Sequence, residues 1–180
     1  MPVVRGKDIE VLFSASAIAR RNLELAKDIA AHKYHDLLVI SVLKGSFIFA
    51  ADLIRAMHDV GLEPEVEFIF ISSYGAGTTS GEVRVLRDID NDVKGRDVLL
   101  VDDILESGKT LAFARNLMME RGAKSCSIAV LLDKRMRRQT RLDADYVGFD
   151  CPDQFVVGYG MDVAHAFREL PFVGVVKGDA

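Results

Sequence analysis

Apolar positions along the chain follow two alternating spacings. Ile18, Leu25, Ala26 and Ile29 recur on one helical face, and either Ser14 or Ser16 is placed to cap a helix ending near Ala30. Leu37–Leu43 is a run of apolar and β-branched residues, the pattern of a strand buried on both faces. Phe47–Val60 returns to helical spacing and stops at Gly61. Strands are expected at Glu65–Ile71, Val83–Leu86 and Asp97–Asp102, and a helix at Thr110–Arg121 closed by Gly122. Ser127–Leu132 predicts a further strand, with shorter ones at Tyr146–Phe149, Phe155–Tyr159 and Phe172–Val176. Strand and helix alternating in this way predict an α/β fold with a mainly parallel central sheet flanked by helices. Ligands of such sheets collect beyond the carboxyl ends of the strands.

Composition narrows the class. The chain has 180 residues, 49% of them hydrophobic and 28% charged, which excludes disorder and low complexity. That length fits one domain with a core of ordinary size. A net charge of −4 argues against a nucleic-acid or anionic-membrane partner, though not against a local cationic pocket. No apolar run approaches the roughly 20 residues of a spanning helix, and Met1–Asp8 lacks the apolar stretch of a secretory signal. Cys126 and Cys151 are too few for a disulfide framework and read as buried thiols. The expected location is the cytoplasm.

The chemistry concentrates after the strand at 97–102, in Asp102-Asp103-Ile104-Leu105-Glu106-Ser107-Gly108-Lys109-Thr110. Small residues at 107 and 108 let the backbone approach a phosphate, and the following helix turns its positive end toward it. Lys109, Ser107 and Thr110 add charge and donors. The acids upstream suit sugar hydroxyls or a divalent cation. A nucleotide P-loop requires glycine where the chain has Asp103. A phospho-receiver domain would leave the residues before the acid pair unexplained. A plain helix start accounts for Asp103 and Glu106 but not for the small and cationic residues behind them. Lys44-Gly45, at an earlier strand-to-helix junction, suggests a second anion site; an ordinary turn fits that pair equally well.

The 102–110 segment resembles the phosphoribosyl-diphosphate-binding motif of the type I phosphoribosyltransferases, and nearly the whole chain is similar to the hypoxanthine(-guanine) branch of that family. The resemblance implies one domain over 1–180, with a core of about 14–145 and a small hood of about 146–180 joined by the N-terminal segment. It implies transfer of the phosphoribosyl group to hypoxanthine or guanine, releasing pyrophosphate, as purine salvage. Phosphoribosyl diphosphate would be held by Lys44, Gly45, Ser73, Tyr74, Asp102, Asp103, Glu106, Ser107, Gly108, Lys109, Thr110 and Arg168. Lys134, Phe155 and Val156 would bind the purine, and Mg2+ would sit near Asp102, Asp103 and Asp162. A non-proline cis peptide before Lys44, a lid over 72–81 and a homodimer or homotetramer are also implied.

One position departs from the pattern. Where the family usually carries aspartate as the base near purine N7, this chain has Glu106, one methylene longer. Arg137, Arg138 and Arg141 read as a solvated cationic face, and the four histidines as structural or surface residues. The alternatives are a nucleotide-binding regulatory protein of the same fold and a xanthine-preferring transferase. Adenine- or orotate-specific relatives fit less well, since Lys134 supplies a donor suited to a 6-oxo acceptor.

Overall fold

A computed structural model describes residues 1–74 and 82–177. In chain order the elements are β1 (Val3–Val4), β2 (Lys7–Phe13), α1 (Ala15–His32), β3 (Leu38–Leu43), α2 (Phe47–Asp59), β4 (Glu65–Tyr74) and β5 (Glu82–Arg87). There follow β6 (Asp97–Leu105), α3 (Lys109–Glu120), β7 (Ser125–Asp133), a 3-10 turn at Arg135–Arg137, β8 (Tyr146–Asp150), β9 (Val156–Val157) and β10 (Val173–Lys177).

Six strands form one sheet in the order β5-β4-β3-β6-β7-β8. The four pairings from β4 to β8 are parallel, and only β5 runs antiparallel, at the edge. The central strands are buried on both sides because helices cover both. Val39, Leu99, Val101, Ala129 and Leu131 pack toward α1 and α2, while Leu38, Ile40, Val98, Leu100 and Val130 pack toward α3. Both carboxyl ends of β3 and β6 therefore point to the same rim, and Lys44 and Asp102–Glu106 gather there. Ser14 caps α1, its hydroxyl accepting the Ala17 N–H at 3.2 Å.

A smaller antiparallel sheet, β1-β2-β10-β9, stands above that rim. Its β1 and β2 were not expected, because in Lys7–Phe13 only Ile9 is fully buried and the period-2 signal is faint. The C-terminal strand β10 confers order on that segment by pairing with it from Asp8 to Phe13. Other boundaries shift. The strand expected at Asp97–Asp102 continues to Leu105, so Asp103, Ile104 and Leu105 are strand residues rather than loop residues. Likewise Ser72, Ser73 and Tyr74 belong to β4, and the rest of the expected lid, 75–81, lies outside the described residues. Both cysteines are free; Cys151 is buried and Cys126 only partly so, yet burial pushes the Cys126 thiol up to about 12. Among the described residues no helix is long and apolar enough to cross a membrane.

Candidate functional site

The turn after β6 is built by the strand register on one side and by α3 on the other. Gly108 takes φ +84° at the start of α3, a conformation that glycine enters without steric cost, and α3 begins with no side-chain cap. Its positive end is thereby left open to the cleft. The Ser107 carbonyl accepts two N–H donors, from Gln139 and Thr140, both at 2.9 Å. Arg138 donates to the Glu106 carbonyl at 3.0 Å and also to the Leu142 carbonyl and the buried Asp133 carboxylate.

This corrects the reading of Arg138 as solvated. Its side chain is 15% exposed, and it braces the turn against the end of β7. The signal that could have found it is Asp133, a buried acid directly after the apolar run Ile128–Leu132. Such an acid needs a partner close in sequence, and Arg138 and Arg135 supply two.

Two clefts share this rim. One, of about 300 Å³, is lined by Lys44, Gly45, Ser73, Asp102, Asp103, Glu106, Ser107, Gly108 and Thr110. Its neighbour, of about 440 Å³, adds Phe155, Val156, Met161, Asp162 and Arg168 from the region of the small sheet. The Leu43–Lys44 peptide is cis, as the resemblance implied, and the Lys44 ammonium lies 5.4 Å from the centre of the Phe70 ring. Gly45 permits close approach to the acids, since a Cβ there would overlap Asp103 Oδ2.

Burial pushes the Asp102 carboxyl well above the usual carboxylate range, and the neighbouring Asp103 carboxylate adds to it. Burial raises Asp103 too, against the lowering pull of its hydrogen bonds and of the Arg168 charge. Burial and crowding disfavour the charged forms of these two acids, so a cation or several hydroxyl donors beside them would stabilise their ionisation. Among the described residues no three His, Cys, Asp or Glu side chains form a metal cage. The carboxylate oxygens of Asp102 and Asp103 are the donor type that suits a hard cation completed by ligand oxygens and water.

At the other end, Lys134 is 5% exposed directly after β7, and its ammonium donates to Glu106 Oε1 at 2.9 Å. Phe155 is 65% exposed at the cleft edge, whereas Val156 is buried in β9. Asp162 pairs with Arg168 at 3.2 Å and accepts the His165 N–H at 2.7 Å. Lys109 starts α3 but is exposed and does not line either cleft. Tyr74 ends β4, and its side chain lies outside the described residues. The other expected residues lie on this rim, Lys134 joining it through Glu106.

Residues 9–164 match the family described as phosphoribosyl transferase domain. The chain belongs to the phosphoribosyltransferase family. It is 42% identical over 173 residues to the hypoxanthine phosphoribosyltransferase of Escherichia coli (strain K12), covering 93% of this chain and 95% of that one. To the hypoxanthine-guanine phosphoribosyltransferase of Bacillus subtilis (strain 168) it is 46% identical over 174 residues, covering 94% of each. Among solved structures, a Staphylococcus aureus hypoxanthine phosphoribosyltransferase superposes with a TM-score of 0.87 at 38% identity, covering 93% of this chain and 91% of that one. A hypoxanthine-guanine phosphoribosyltransferase from Bacillus anthracis gives 0.86 at 40% identity, covering 95% and 99%. The expected α/β architecture is that of these phosphoribosyltransferases.

Proposed function

We propose that this phosphoribosyltransferase joins hypoxanthine, and also guanine, to phosphoribosyl diphosphate, giving the nucleoside monophosphate and pyrophosphate. The observation that carries the reading is the set of groups gathered on one rim. The turn at 106–110 shares one cleft with Lys44, Gly45, Asp102 and Asp103, the adjoining cleft adds Phe155, Val156 and Arg168, and Lys134 reaches the rim through Glu106.

On this reading the turn at 106–110 grips the 5′-phosphate through backbone N–H groups and the Ser107 and Thr110 hydroxyls, with Lys109 contributing charge from outside the cleft. Asp102 and Asp103 face the ribose hydroxyls, and Lys44, Gly45, Ser73 and Arg168 face the diphosphate. Asp102, Asp103 and Asp162 would hold magnesium, which when bound would supply positive charge to neutralise the diphosphate. Lys134 donates to the purine 6-oxo group, Phe155 stacks on the ring, and the Val156 backbone meets its edge. Glu106 accepts the N7 proton as N9 attacks the ribose, a role worth roughly 10²–10⁴ in rate. Its carboxylate accepts a hydrogen bond from the Lys134 ammonium at 2.9 Å. Positioning and charge stabilisation carry the rest of the step.

Incubation with phosphoribosyl diphosphate, magnesium and each of hypoxanthine, guanine, xanthine and adenine tests the assignment. Inosine and guanosine monophosphates are the expected products, and preference for adenine would overturn the purine assignment. A regulatory protein would bind the nucleotides without turnover. We also read the chain as a homodimer or homotetramer, supported by exposed Phe47 and Phe68 on α2 and β4 and by an apolar cleft at Ile54, Leu62, Pro64 and Val66. Light scattering measures that directly.

A further inference from the structure

Tyr159 lies in a tight turn whose ends exchange backbone hydrogen bonds, Gly158 N–H to the Met161 carbonyl at 3.0 Å and Met161 N–H to the Gly158 carbonyl at 3.1 Å. Its φ is +52°, uncommon for a bulky side chain. The turn fixes Arg168 from both sides. Gly160 N–H donates to the Arg168 carbonyl at 3.0 Å, and the Arg168 guanidinium donates to the Gly160 carbonyl at 2.5 Å. The turn also rests on the Lys44-Gly45 loop, so closely that a Cβ on Gly160 would overlap the Gly45 carbonyl oxygen.

The Tyr159 side chain leaves this turn and enters the helical layer, where the residue is 4% exposed. Its hydroxyl donates to Asp52 Oδ2 on α2 and accepts from Asn22 Nδ2 on α1 at 3.0 Å. Asp52 is further paired with Arg55. Beside the ring lies a cavity of about 320 Å³, lined among others by Ile18, Ile48, Asp52, Tyr159 and Arg168. Backbone bonds, among them Tyr159 N–H to the Leu170 carbonyl at 2.8 Å, hold the turn together but leave the direction of the Tyr159 side chain to its own contacts. The charge-assisted bond to Asp52 is directional and pins it.

We propose that the Tyr159–Asp52 hydrogen bond is a tether that sets the diphosphate end of the cleft, holding Arg168 and the Gly45 carbonyl in register. Tyr159 touches no reacting atom; it is a positioning residue acting through Arg168. The inference rests on the reading of Lys44, Gly45 and Arg168 as the diphosphate grip.

Tyr159→Phe removes the hydroxyl and keeps the ring. The expected result is a KM for phosphoribosyl diphosphate raised about tenfold, with the same rise for pyrophosphate in the reverse reaction. The KM for hypoxanthine and kcat stay within about threefold, a split that partial unfolding would not produce. Asp52→Ala gives the same rise, whereas Asp52→Asn, whose amide oxygen still accepts from the hydroxyl, restores most of the affinity. The double variant Y159F/D52A is no worse than either single one, since both remove one bond. Unchanged KM for phosphoribosyl diphosphate in Y159F, or a fall in kcat alone, would overturn the tether. If Y159F does not fold, equal KM values in Asp52→Ala and Asp52→Asn do the same. Arg168→Gln separates the two levels: an unchanged KM there overturns the grip and the tether together, while a raised one beside an unaltered Y159F overturns the tether alone.

Discussion

The two walls of the cleft are made in opposite ways. The wall at 102–110 is one contiguous stretch, strung between a strand with no exposed face and a helix, and its geometry follows from parallel register with β3 and β7. The wall at 155–168 has one two-residue strand and positive φ at Tyr159, Ala164, His165 and Phe167, and is held by backbone bonds that skip along the chain. A rigid frame suits donors that must be in place before a phosphate arrives. A wall assembled from individual tethers suits groups that meet the outgoing part of the ligand.

The sharpest test of the rigid wall is Glu106→Gln. Turnover at saturating substrates falls roughly 10²–10⁴-fold if Glu106 is the base, with the circular dichroism spectrum unchanged. Near-native turnover would remove the assignment. Gly45→Ala comes next: its Cβ displaces Asp103, and kcat/KM drops about 10²-fold, since a misplacement of about 1 Å costs that much. On the tethered wall, Phe155→Ala raises the KM for hypoxanthine about tenfold and leaves that for phosphoribosyl diphosphate within about threefold, as expected for loss of one stacking partner.

The brace behind the rigid wall separates Arg138 from its neighbours. Arg138→Ala leaves Asp133 short of one partner and lowers stability by about 1–3 kcal/mol in denaturant titration, while Arg141→Ala changes it by no more than about 0.5 kcal/mol. The smallest effect lies at the far end of the sheet. Burial alone would raise the Asp97 carboxyl, but donors from the His35 N–H at 2.6 Å and the Ser125 hydroxyl at 2.7 Å hold it below its ordinary value. Its stabilisation is complete above the unfolded carboxylate range near pH 3.9 and is lost as pH falls through the folded value. Asp97→Asn therefore costs about 1 kcal/mol at pH 7, and the gap between its unfolding midpoint and that of the parent protein begins to narrow below about pH 4 and closes as pH falls through the folded value.

The same contrast decides what could be read from residues alone. Leu37–Leu43 and Asp97–Asp102 announce themselves because a strand covered on both faces must be continuously apolar. The anion turn is legible because all of its donors are adjacent in the chain. Arg138 escaped notice because a basic cluster looks the same whether solvated or bracing, and only its placement over Asp133 distinguishes the two. Lys7–Phe13 escaped for a related reason: a strand that buries little becomes one through its partner. Tyr159 belongs here too, since nothing beside it in sequence points to Asp52 or Asn22.

One pairing governs the timing of assembly. Ile9 lies opposite Val176 in the small sheet, so β2, flanked early on by the two-residue β1 alone, waits for the last strand before its other edge is paired. As the polypeptide leaves the ribosome, the parallel layers with their anion turn can consolidate while the upper wall is still missing its central ladder. Val156, which lines the second cleft, likewise gains its strand partner Val175 only once Val173–Lys177 has emerged.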